Sequence, residues 1–144
     1  MKGVRGVALV APCDIGFMAQ RMKRDELKSF LIGEGMHVLR RASDDSIVDD
    51  IMSNAAEMRF ARAAKELRGR KVFLATGEYD KTVPTESLDA FWTSLDGSVQ
   101  KCRRTYRAGH SLMGVRPAFA SDLKDFILAN QIGATSLRNG STFE

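Results

Sequence analysis

The stretch VRGVALVAP, residues 4–12, constrains the fold more than any other: a nearly continuous apolar run, closed by Pro12 and followed, right after Cys13, by Asp14. A valine-rich run of that length is the pattern of a strand buried on both faces, as in a parallel sheet. KVFLATGEYD (71–80) repeats the pattern and runs into a glycine turn. VQKCRRTY (99–106) alternates in places and puts Cys102, Arg104 and Tyr106 on one face.

Parallel strands need long crossovers, and the sequence between these runs is helical in pattern. Leu27, Phe30 and Leu31 mark a short helix broken by Gly33 and Gly35. From 43 to 67, Ile47, Ile51, Ala55 and Met58 recur at helical spacing, and Phe60, Ala64 and Leu67 continue a stripe. Asn54 and Glu57 have the spacing of a capping pair that would start a second helix there. SLDAFWTSL (87–95) sets Leu88, Phe91, Trp92 and Leu95 on one side. Pro117 suits the first turn of a last helix with the stripe Phe119, Leu123, Phe126 and Ile127. Past Asn130 the tail 131–144 is small and polar and is expected to fray. The order reads as α/β, with three parallel strands flanked by helices in one domain over about residues 1–130.

The bulk numbers exclude more than they assign. A net charge of +4 is spread along the chain apart from KCRRTYR (101–107) and RGRK (68–71), and no nucleic-acid-reading motif accompanies it. These are expected to be solvated faces, with no nucleic-acid partner. Cys13 and Cys102 have neither metal-ligand spacing nor a disulfide framework, so a reduced, cytoplasmic setting is expected, with no metal and no cofactor. The apolar run at the start is too short for an export signal, and nothing reaches membrane-spanning length.

In open parallel sheets chemistry gathers at the carboxyl ends of the strands. Asp80 follows the second run in GEYDKTVP, and His110 follows the third in AGHSLMG, one strand–helix–strand excursion later. If the two strands are neighbours their ends lie roughly 5 Å apart, close enough for the carboxylate to reach the imidazole. An aspartate on one ring nitrogen fixes the tautomer and leaves the other as general base. Singly, Asp80 reads equally as a turn residue and His110 as a helix cap or a partner for a carbonyl; the pair is more specific than either.

Strand-Gly-x-x-Asp-x-x-Val-Pro, then a helix, then a strand ending in Gly-His-Ser before a final helix, resembles the C-terminal half of an α/β-hydrolase, over roughly residues 4–130. The resemblance implies that Asp80 is the triad acid, His110 the triad histidine, and about 15–68 a helical cap or lid. It implies ester or peptide hydrolysis through a Ser-His-Asp triad, on a small-molecule ester or peptide. AGHSLMG is not the serine elbow. Met113 stands where an elbow needs a small residue, the glycine comes late at 114, and no histidine follows Ser111. His37 reads as a surface or packing residue, and Ser29, Ser43, Ser46 and Ser53 fall in helical stretches without elbow glycines. Cys13, just past the first run, reads as a small buried hydrophobe before it reads as a nucleophile.

Acid and histidine are therefore expected here, nucleophile and oxyanion hole elsewhere, and the chain is expected to be inactive alone, as a truncated product or with an N-terminal half as partner. A first strand so apolar, starting so near residue 1, also leaves an open edge. The competing expectation is a non-catalytic α/β module that self-associates, as a homo-oligomer, or binds a partner through that strand.

Overall fold

Five successive residues of the run at 71–77, Val72 to Thr76, are buried, which an isolated strand cannot achieve; it must lie between two others. The computed structural model describes residues 4–35 and 43–135, with side chains through Ala129. In it β2 (Lys71–Gly77) is the central strand of a three-stranded parallel sheet, between β1 (Gly6–Val10) and β3 (Gln100–Tyr106). Gly6 pairs with Lys71 through Val10 with Ala75, and Lys71 pairs with Gln100 through Gly77 with Tyr106. Val72, Phe73, Leu74 and Ala75 are each at most 1% exposed, so β2 meets its sequence expectation on both faces.

β1 does not. Ala8 and Val10 are exposed, Val10 to 42%, and Gly6, Val7 and Leu9 are only half-buried. An apolar run encodes readiness for burial on both faces, but the strand order puts β1 at an edge. Its ladder continues for one bond past Val10, from the Ala11 N–H to the Ala75 carbonyl at 2.9 Å, and the backbone then turns left-handed at Ala11 (φ 42°).

The chain divides into two compact units. The first holds the sheet and α6 (Arg116–Thr135), the long helix that continues past Asn130, where the tail was expected to begin. Phe119, Leu123 and Phe126 of α6 pack on Phe73, Ala75 and Tyr106, with the Phe73 and Phe126 ring centroids 5.5 Å apart. Ile127, expected in that stripe, is 47% exposed. The Tyr106 hydroxyl donates to Asp122 Oδ2 at 2.7 Å, and Arg104 Nε lies 3.6 Å from the same oxygen, so residues of one β3 face tie the strand to α6. Burial first, and then Asp122, push the Tyr106 hydroxyl well above the usual phenol range.

The second unit, Cys13–Lys65 with Pro84–Leu95, is helical: α1 (Ile15–Ala19), α2 (Arg24–Gly33), α3 (Asp44–Ser53), α4 (Phe60–Ala63) and α5 (Thr85–Ser94). Met18, Ala19, Leu27, Val48 and Ala55 form its core. Asn54 proves to be the C-cap of α3, its N–H donating to the Asp50 carbonyl, and the next helix starts only at Phe60. Asn serves either helix end, so the spacing to Glu57 misassigned it. α1 had no sequence expectation; five residues carry no periodicity, and it exists because Asp14 caps it. Asp14 is 1% exposed and accepts from the Phe17 N–H at 2.9 Å and the Phe60 N–H at 3.1 Å, with Arg59 Nε at 3.4 Å. His37 lies outside the described residues, as does the tail beyond Thr135.

Candidate functional site

The ends of β2 and β3 are joined beyond their ladder. The Glu78 N–H donates to the Tyr106 carbonyl at 2.7 Å and the Tyr79 N–H to the Ala108 carbonyl at 3.0 Å, so two consecutive loops leave the sheet in step. Gly77 is required for this approach: a Cβ there would stand 2.5 Å from the Ala108 oxygen and 2.6 Å from that of Gly109.

Asp80 follows in the first loop. Its Oδ1 accepts from the Thr82 N–H at 2.9 Å and the Val83 N–H at 3.1 Å, the bonds of an Asx turn. Its Oδ2 lies 2.9 Å from His110 Nδ1, with the carboxylate side chain 8% exposed and the imidazole 35%. The structure thus brings together the two residues that strand-end reasoning paired. A carboxylate only accepts, so the hydrogen on this contact belongs to Nδ1 and the ring nitrogen left over is Nε2. The turn bonds set the carboxylate and the carboxylate sets the ring; the turn reading and the orienting reading of Asp80 describe two oxygens of one group.

Around His110 the chain does not turn directly from strand to helix. It passes through Leu112, left-handed at φ 51°, then Met113, 71% exposed, and Gly114 at φ 84°, before α6 begins at Arg116. Ser111 is exposed in this excursion. Ser29, Ser43 and Cys13 are each engaged locally. Ser29 Oγ donates to the Asp25 carbonyl, Ser43 Oγ caps α3, and Cys13 is packed, partly buried, against the core of the helical unit. Among the described residues no group of three His, Cys, Asp or Glu could hold a metal ion, and no helix is long and apolar enough to cross a membrane.

Beside His110 lies a cavity of about 460 Å³, within the range of small-ligand sites, whose walls include Val10, Ala11, Leu112, Arg116 and Phe119. Sequence reasoning missed all five as site residues. Ala11 and Leu112 are the two non-glycine residues with positive φ among the described ones, and both line it. Such conformations cost on the order of 1 kcal/mol each and cluster at functional sites. Alanine and leucine give no local sign of this. Arg116 gave a faint one, as a cation opening a helix whose first turn holds no acidic residue.

No protein-family model, no curated protein and no solved structure matches this chain.

Proposed function

We propose that Asp80 and His110 are the acid and base of a serine-hydrolase-type site in an α/β-hydrolase-like protein, acting on a small ester or peptide. The observation that carries this is the 2.9 Å contact between Asp80 Oδ2 and His110 Nδ1, made by loops that follow adjacent parallel strands. In the reaction Nε2 takes the proton of an attacking hydroxyl, Asp80 stabilises the imidazolium, and the same proton passes to the leaving group. The Ser111 hydroxyl lines the same cavity, but it follows His110 in a loop and does not open a helix as an elbow serine does, so the nucleophile and the oxyanion donors are not assigned among the described residues. On this reading a further segment supplies them, and the chain by itself turns over little.

Two measurements test the reading. Diethyl pyrocarbonate acylates an unprotonated imidazole nitrogen, so the Asp80-oriented His110 reacts several-fold faster in the wild type than in Asp80→Asn. Equal rates in the two proteins overturn Asp80 as the orienting acid. Hydrolysis of p-nitrophenyl acetate by the chain is expected to stay near background; a clear rate that vanishes in His110→Ala places a nucleophile within this chain and overturns that half of the proposal.

One observation supports a second, non-catalytic reading. β1 is an edge strand, and Val10 at its end and Val4 two residues before its start are exposed to 42% and 40%, an apolar edge of the kind that pairs with another strand. Light scattering at rising concentration decides this for self-association: a monomer throughout removes it.

A further inference from the structure

The acid–base reading leaves one charge at the site without a task. Arg116 lines the cavity beside His110 and is the first residue of α6. A helix N-terminus carries partial positive charge, so an arginine is disfavoured there and Asp or Glu preferred; the first turn of α6 holds neither. No described carboxylate pairs with Arg116, and none lines the cavity. The arginine therefore adds to the positive end of a helix with nothing described to offset it. Helix stability does not account for it.

Apart from Arg116, His110 and Ser111 the cavity wall is apolar. Val10 is exposed on β1, Leu112 is 3% exposed in the loop, and Phe119 stands one helical turn beyond Arg116. Ala11 past the end of β1 and Leu112 in the His110 loop, both left-handed, line the cavity. Backbone in that region is kept against its own preference, here at two positions of one cavity.

We propose that this cavity binds small amphipathic anions, with an aliphatic body against Val10, Leu112 and Phe119 and a carboxylate on the Arg116 guanidinium. A carboxylate there gains a charge-assisted, two-pronged hydrogen bond that an amide of the same shape lacks. The substrate class rests in addition on the hydrolase reading: an ester or amide whose acyl or leaving part bears a free carboxylate, with its scissile bond toward His110. The anion site itself does not depend on that reading.

The probes are hexanoate and hexanamide, matched in shape and different in charge, titrated into the full chain with amide chemical shifts as readout. Hexanoate is expected to move the signals of Leu112, Arg116 and Phe119 and to bind about fivefold to tenfold more tightly than hexanamide. Arg116→Gln, at an exposed position and checked for folding by circular dichroism, is expected to erase that preference while leaving hexanamide binding in place; Arg116→Lys keeps part of it. Equal binding of the two probes, a preference that survives Arg116→Gln, or no response at those amides overturns the anion site. The hydrolase reading is judged separately, on the Asp80→Asn acylation rate measured without hexanoate, so the two failures are distinct.

Discussion

Asp14, buried, and Asp80, partly buried, both lie in the segments that follow apolar strands, and they do different work. Asp14 spends both oxygens on its own surroundings: Oδ1 on the Phe17 N–H, Oδ2 on the Phe60 N–H and Arg59. Asp80 divides its oxygens, Oδ1 to the turn that holds it and Oδ2 to an imidazole from a loop thirty residues on. A buried carboxylate whose acceptors are all taken locally builds structure. One with an oxygen aimed at a titratable ring from another element can also direct chemistry.

The sharpest way to break the comparison is to delete each carboxylate. Asp14→Ala strands two backbone N–H groups and a partly buried guanidinium, and is expected to cost about 3 kcal/mol in urea unfolding. Asp80→Ala loses two turn bonds at a less buried position and is expected to cost about 1–2 kcal/mol. The reverse order would mean that Asp80 is the structural member of the two. His110→Ala removes a ring that is 35% exposed and leaves the turn intact, for a cost of about 0.5–1 kcal/mol. A larger loss would make the pair a structural fastening.

Exposed carboxylates give the far end of the scale. Lys28 and then Arg24 hold Asp45 below the usual carboxylate range, and Arg24 does the same to Asp49, tying α2 to α3. Their folded pKa values lie below the unfolded ones. The stability they contribute is therefore present above about pH 4 and lost as pH falls through the depressed values. Urea midpoints followed downward from that pH should decline slightly more in the wild type than in Arg24→Gln; parallel declines would show that the cluster contributes nothing measurable.

What the sequence made legible was whatever is written locally. β2 was readable because four consecutive apolar residues, Val72 to Ala75, describe a centre strand without reference to the rest of the chain, and Asp80 with His110 because strand ends in a parallel sheet are where polar loops converge. β1, equally apolar, was expected to have an open edge and does, but the burial expected on both its faces is absent, because what covers a strand is not written locally. Asn54 was placed at the start of a helix and stands at the end of one, since the residue suits both. Asp14 was read only as the end of an apolar run, because its partners Arg59 and Phe60 lie more than forty positions away. The cavity wall was invisible for another reason: a left-handed alanine or leucine is imposed by tertiary structure against the preference of the residue itself.

The central claim is that Asp80 chooses which nitrogen of His110 carries the proton. Imidazole ¹⁵N chemical shifts of the neutral ring report that directly, with His37, the other histidine, as internal reference. His110 is expected as the Nδ1–H tautomer in the wild type. In Asp80→Asn a switch to Nε2–H is expected, because the amide oxygen keeps the turn bonds and the amide NH₂ then donates to Nδ1. A His110 that shows the same tautomer in both proteins contradicts the claim.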